Sequence, residues 1–202
     1  LCPTILDLAG VKIPAQVQGM SFTKLLDDPR VTHRNYAFCE HNWHDYEAHG
    51  RALRDKHGYL YVRNARPDQA WLGPADSVGS PAHADLVKLK QSGMLSPAQA
   101  DVFVQPRPRE ELYFSRGDSA QTNNLVARAE HAKKLSELRG VMDQWQQSTG
   151  DSVPQDFSPD YFDRVGGYVN SKTGKRIRGK FVPGNPPGFD RRAAKINLPG
   201  PR

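Results

Sequence analysis

Leu135, Leu138, Met142 and Trp145 stand at i, i+3, i+7 and i+10, and that spacing constrains the fold more than any other feature of the chain. Residues so spaced share one face of a helix. The pattern predicts a helix of about five turns ending near Gly150, a residue suited to a helix C-cap. A single apolar stripe has to be buried, and the segments before it supply a sheet. Asn35–Cys39 reads as a strand. Ala52–Arg54, the turn Lys56-His57-Gly58 and Tyr59–Arg63 read as a β-hairpin, and Glu111–Phe114 reads as a further short strand. The prediction is an α+β fold, a small antiparallel sheet packed by a C-terminal helix. The stretch Glu40–Arg51, EHNWHDYEAHGR, reads as a polar loop at one sheet edge.

The rest of the chain is less regular. Residues 1–10 read as a short helix, with Pro3 in its first turn and Gly10 at its cap. A loop with a second apolar patch, Phe22, Leu25 and Leu26, follows. Residues 64–84 read as an irregular excursion rich in Pro, Asp, Gly and Ser. Asp85–Met94 reads as a short amphipathic helix, and Ser96-Pro97 opens another. After Asp151 the apolar pattern fades, and fourteen of the last 52 residues are Gly or Pro. This part reads as an irregular basic tail, because Asp163–Arg202 carries ten Lys/Arg against two Asp. The net charge of +6 therefore belongs to the tail. No apolar run approaches the roughly 20 residues of a membrane helix. The chain starts Leu1-Cys2-Pro3 with no visible leader, so it reads as a piece of something longer. Cys2 and Cys39 are too few for a disulfide framework and read as small buried hydrophobes.

EHNWHDYEAHGR gathers three histidines, three acids and an arginine, and several chemistries compete for it. Zinc takes imidazole and carboxylate ligands, and His41, His44, Asp45 and His49 are of those types. The helical HExxH signature is absent, so hydrogen-bonded surface histidines are preferred to a metal site. Cys39 and His41 share a face by strand alternation, yet Cys39 ends an apolar strand, which favours a core thiol over a nucleophile. No phosphate-binding glycine loop occurs. SKTGKRIRGK at 171–180 is basic with only Phe181 beside it, which reads as a solvated run and not as a nucleic-acid platform. Arg51, Arg54 and Arg63 flank the histidines, and guanidinium forks suit sulfate, phosphate and carboxylate. A solvated, charged edge strand explains the same residues, and composition does not choose between the two.

Five segments in order carry a family resemblance. LCPTILDLAG with QGMSFTKLL resembles the end of the large domain of sulfatases. EHNWHDYEAHGRALRDKHGYLYVRN and SPAHADLVKLKQSGMLSPAQADVFVQPRPREELY resemble successive segments of the heparan N-sulfatase-like branch, the N-sulfoglucosamine sulfohydrolases. ELYFSRGDSAQTNNLV resembles the family element ELYDLxxDPxExxNLA, and KKLSELRGVMDQWQQSTGD its closing helix. The element departs from the pattern at Phe114, Asp118-Ser119 and Gln121.

The resemblance covers roughly residues 1–151. It implies the C-terminal subdomain of an alkaline-phosphatase-superfamily sulfatase, a sheet of four strands with one packed helix. Residues 1–30 are then the end of the large α/β domain, 31–151 the subdomain and 152–202 an extension. The implied parent hydrolyses sulfate esters or sulfamates of sulfated sugars with formylglycine and calcium. It is periplasmic or secreted. The C/S-x-P-x-R signature and the metal ligands lie upstream, and Cys2-Pro3-Thr4 does not match that signature. No catalytic or metal role therefore falls on this chain, and the fragment alone is expected to be inactive. Its implied partners are the missing N-terminal sulfatase domain and the sulfated saccharide, with no nucleic acid and no membrane span. His41, Asn42, His44 and Asp45 are the candidates for a substrate-recognition rim, with Arg51 behind them. Alternatives are a polyanion-binding module that uses the basic tail, or a phosphodiester or phosphonate hydrolase of the same superfamily.

Overall fold

A computed structural model describes residues 1–44, 46–69, 71, 73–153 and 201. Two short helices come first, α1 (Cys2–Leu8) and α2 (Thr23–Asp27). The sheet follows with β1 (Tyr36–His44), β2 (Tyr46–Asp55) and β3 (Tyr59–Asn64). The helix α3 (Ala75–Val78) then lies in the excursion, and α4 (Pro81–Gln91) and α5 (Pro97–Ala100) follow where the two helices were expected. Finally come β4 (Glu110–Phe114) and α6 (Ala132–Thr149). The strands form one antiparallel sheet in the order β1-β2-β3-β4. The described part is the α+β arrangement expected from the sequence.

The register assigns each residue to a face, because side chains alternate along a strand. Phe38, Leu53, Tyr61 and Leu112 are aligned across the four strands on one face. The stripe of α6 lands there. Leu53, Tyr61, Leu112, Leu125, Leu135, Leu138 and Met142 form the buried cluster, and Trp145 stacks on Phe38 with centroids 5.1 Å apart. Burying a Leu or Met side chain stabilises by about 1.5–3 kcal/mol, so this layer is the main apolar driving force of the described domain. Gly150 caps α6 at φ 69, in the left-handed region that glycine enters without steric cost.

Polar pairs along α6 fix its direction over the sheet. Lys134 reaches Asp55 at 3.2 Å and the Tyr36 hydroxyl meets Glu137. Farther along the helix, Arg63 Nη1 donates to Asp143 and Gln146 at 2.7 Å each. Beyond the cap, Arg51 pairs with Asp151. The helix therefore runs parallel to β1, and its C-terminal end arrives beside the His41 end of the hairpin.

The opposite face carries Gly50, Val62, Asn64 and Glu111, and the excursion folds over it. Asn64 Nδ2 donates to Pro108 O at 2.7 Å and to Glu111 at 2.6 Å. Arg107, 6% exposed, forks onto Glu111 and Asp101 at 3.1 Å each and lies 4.9 Å over the Trp71 ring. Trp71 in turn lies flat enough on the strand that a Cβ at Gly50 would stand 3.0 Å from its Cζ2. The expected irregular excursion, 64–84, thus contains α3 and the start of α4, and a buried polar cluster of Asn64, Arg107 and Glu111, joined by half-buried Asp101, forms on this face. The outer edge of β4 is closed by Asn124, whose Oδ1 accepts from Leu112 N at 3.0 Å, and by Leu125 N on Leu112 O at 2.7 Å.

Three expectations are corrected. EHNWHDYEAHGR is not a loop: residues 40–44 and 46–51 are the paired halves of the β1–β2 hairpin. Phe22–Leu26 is not all loop either, since α2 starts at Thr23, after Thr4 Oγ1 has accepted from Phe22 N at 3.1 Å. Cys39 and Cys2 are exposed and not core thiols, because β1 is an outer strand and Cys39 points to the face away from α6. Residues 154–200, which hold most of the basic tail and the run at 171–180, lie outside the described residues.

Candidate functional site

The β2–β3 pairing ends at Gly50 opposite Asn64. The β1–β2 pairing continues, with Trp43 opposite Glu47 and His44 opposite Tyr46. His41–His44 and Tyr46–His49 therefore project past β3 as a two-stranded ribbon. A register shift between His41 and Trp43 bends it, as bulges do. His49 lies at φ 47, a left-handed conformation rare outside glycine and the short polar residues. Its carbonyl accepts from Ala65 N at 3.2 Å, which ties the ribbon to the chain leaving β3.

The ribbon brings His41, Asn42 and His44 together on one short element. Asn42 and His44 are exposed. His41 is half-buried, edge-on to the Tyr46 ring at 5.4 Å, and Tyr46 itself is buried. Asp45 lies outside the described residues. Imidazole and amide groups offered by a bent, projecting ribbon suit hydrogen bonding to hydroxyl and sulfate oxygens.

Arg51 does not join this group. Its side chain is 4% exposed, and its donors are already engaged. Nε and Nη2 donate to the two Asp151 oxygens at 2.9 and 2.7 Å, and Nη1 donates to Gly50 O at 2.9 Å. A direct contact with a ligand would require breaking that pair. Arg63 faces α6 as well, while Arg54 is on the opposite face with Nη1 3.0 Å from Ser115 Oγ. The three arginines thus form no common anion-binding rim.

Sequence reasoning weighed His49 only as a zinc-ligand type and missed Asp151, the partner of Arg51. His49 is buried, and burial pushes its imidazole from 6.5 down to about 4; the Arg51 and Arg66 charges add to this and the Asp151 charge opposes it. Burial alone would raise the Asp151 carboxyl, but hydrogen bonds from Arg51 and Gln146 outweigh that and hold it below its ordinary value. Nothing in the sequence signals Asp151, because it and Arg51 are 100 residues apart and meet only through the packing of α6.

Among the described residues no three His, Cys, Asp or Glu side chains converge as metal ligands. No helix among the described residues is long and apolar enough to cross a membrane.

The chain is 34% identical over 153 residues to an ulvan-active sulfatase of Formosa agariphila, a match that covers 75% of the chain and 25% of that protein. It is 22% identical over 154 residues to an N-acetylglucosamine-6-O-sulfatase of Bacteroides thetaiotaomicron, covering 76% of the chain and 22% of that protein. Among solved structures, a Bacteroides thetaiotaomicron protein described as a putative sulfatase aligns with TM-score 0.48 and 21% identity, over 75% of the chain and 24% of its own. No family model matches the chain. The chain spans about a quarter of the length of the curated relatives it matches.

Proposed function

We propose that this chain is the C-terminal part of a sulfatase that hydrolyses sulfate esters or sulfamates of sulfated sugars. In this reading it contributes a wall of the saccharide site and not the catalytic centre. The observation that carries the proposal is the 34% identity, sustained over 153 residues, to an ulvan-active sulfatase. The ribbon supports the role of wall. It presents exposed Asn42 and His44 and half-buried His41. His41, Asn42, His44 and Asp45 would contact the sugar, and Arg51 would hold the ribbon from behind. The resemblance to the heparan N-sulfatase-like branch supports sulfamates as well as esters among the substrates.

The calcium, the formylglycine and the residues that attack sulfur would lie in the missing N-terminal domain. Leu1, at the N-cap of α1, and Ile5 and Leu8 within it are 83%, 61% and 65% exposed, as a surface that packs against that domain would be. Such enzymes act outside the cytoplasm, which makes the parent periplasmic or secreted. The test is sulfate release by the full-length parent from N-sulfoglucosamine, 6-O-sulfated N-acetylglucosamine and ulvan oligosaccharides, beside the 202-residue chain alone. The proposal expects release by the parent from at least one of them and none by the fragment. Turnover by the fragment, or a parent that cleaves only phosphodiesters or phosphonates, overturns it.

A further inference from the structure

We infer that Asp151 is a positioning residue for the recognition ribbon: by fixing Arg51 it sets where His41, Asn42 and His44 stand against a bound saccharide. This rests on the recognition role proposed above. A two-stranded ribbon alone is marginal in water; among the described residues no third strand pairs with this one beyond Gly50–Asn64, and burial of Tyr46, Ala48 and His49 anchors it. Apolar burial is non-directional, so the angle of the ribbon depends on directional contacts at its root.

Arg51 occupies that root. It stands opposite Glu40 on β1 and Arg63 on β3, next to the His41–Gly50 pair. Its guanidinium clamps the Gly50 carbonyl on its own strand and takes Asp151 in a two-pronged grip. The two side chains are only 4% and 10% exposed. A planar fork on a carboxylate fixes orientation as well as distance, and burial protects the pair from screening.

The carboxylate is itself held. Gly150 turns the chain out of α6, and Asp151 N donates to Gln146 O at 2.9 Å. Gln146 Nε2 donates to Asp151 Oδ2 at 3.0 Å, while Gln146 Oε1 accepts from Arg63 Nη1 at 2.7 Å. One side chain of α6 thus couples the root of the ribbon to β3, and the angle of the ribbon is referred to the rigid helix–sheet core.

A purely structural strut predicts a different outcome from a positioning residue, and Asp151→Asn in the full-length parent separates them. The side chain keeps its shape but loses the charge and one acceptor. KM for the saccharide should rise on the order of tenfold, as expected for a recognition group displaced by a fraction of an ångström, with kcat changed less than threefold. Arg51→Lys, which keeps the charge and loses the fork, should do the same. An unchanged KM, or equal losses in KM and kcat accompanied by a general loss of folded protein, overturns the inference. Should Asp151→Asn fail to fold, Arg51→Lys decides by the same criteria. Amide exchange on the 202-residue chain gives a readout independent of sulfatase activity. Faster exchange in Asp151→Asn confined to residues 39–50 supports positioning, and uniform acceleration or none refutes it. A wild-type parent that releases no sulfate would sink the proposed function, and the exchange experiment would still decide this one.

Discussion

Acid should loosen the hairpin through one side chain, His49. Its imidazole is buried with the Arg51 and Arg66 charges nearby, which depresses its titration from 6.5 to about 4. Between those values the unfolded chain binds a proton that the folded chain refuses. Stability from this group is therefore complete above pH 6.5 and falls as the pH is lowered towards 4. At about 1.4 kcal/mol per tenfold change in proton affinity, the loss by pH 4 is about 3 kcal/mol relative to pH 8. The Asp151 carboxyl, held low by Arg51 and Gln146, adds a loss of the same sign only at more acid pH. The informative variant is His49→Asn, because Asn tolerates the left-handed backbone found at φ 47 and does not titrate. Any packing cost of the replacement is common to all pH values, so comparing both chains at two pH values isolates the proton. Urea unfolding at pH 8 and pH 4 should show the wild-type chain losing about 3 kcal/mol more than His49→Asn, or a midpoint difference of about 1.5 M at a slope near 2 kcal/mol per molar. Equal losses in the two chains would refute the placement of His49 as a buried neutral ring beside two guanidiniums.

Two further perturbations test the frame that carries the ribbon. Leu138 is fully buried between α6 and the sheet, and Leu138→Ala should cost about 2–5 kcal/mol in chemical denaturation. Asn124→Ala should cost about 1–3 kcal/mol, because it leaves the outward N–H of Leu112 without its acceptor; faster amide exchange at Leu112 and Val126 would confirm the cause.

The elements whose burial is one-sided were legible in the sequence. Leu135, Leu138 and Met142 declare one face of α6, and Tyr59–Val62 declares β3, since each pattern follows from where the apolar surface must go. The ribbon was not legible. Its buried apolar residues, Tyr46 and Ala48, sit among histidines and acids that make the stretch read as a polar loop, and the shift near Asn42 breaks the alternation on the facing strand. What holds it is remote in sequence: Arg51 with Asp151, and His49 O with Ala65 N. Arg51 therefore looked like a ligand for an external anion when its partner is internal. Cys39 looked like a core thiol because its strand is apolar, but an outer strand on the side away from α6 leaves it exposed. The Asn64–Arg107–Glu111 cluster was hidden for the same reason, as charged residues in a Pro-rich segment read as solvated until the excursion is folded onto the sheet.

The most direct test of the recognition claim is the selectivity of the full-length parent carrying His41→Ala and His44→Ala together. With two sulfated saccharides that the wild type distinguishes, the ratio of their kcat/KM values should fall about tenfold or more towards one, as expected when hydrogen-bonding groups that discriminate are lost, while bound calcium per enzyme stays at the wild-type value. An unchanged ratio, or loss of calcium together with all turnover, would contradict a ribbon that chooses the sugar and leaves the chemistry to the missing domain.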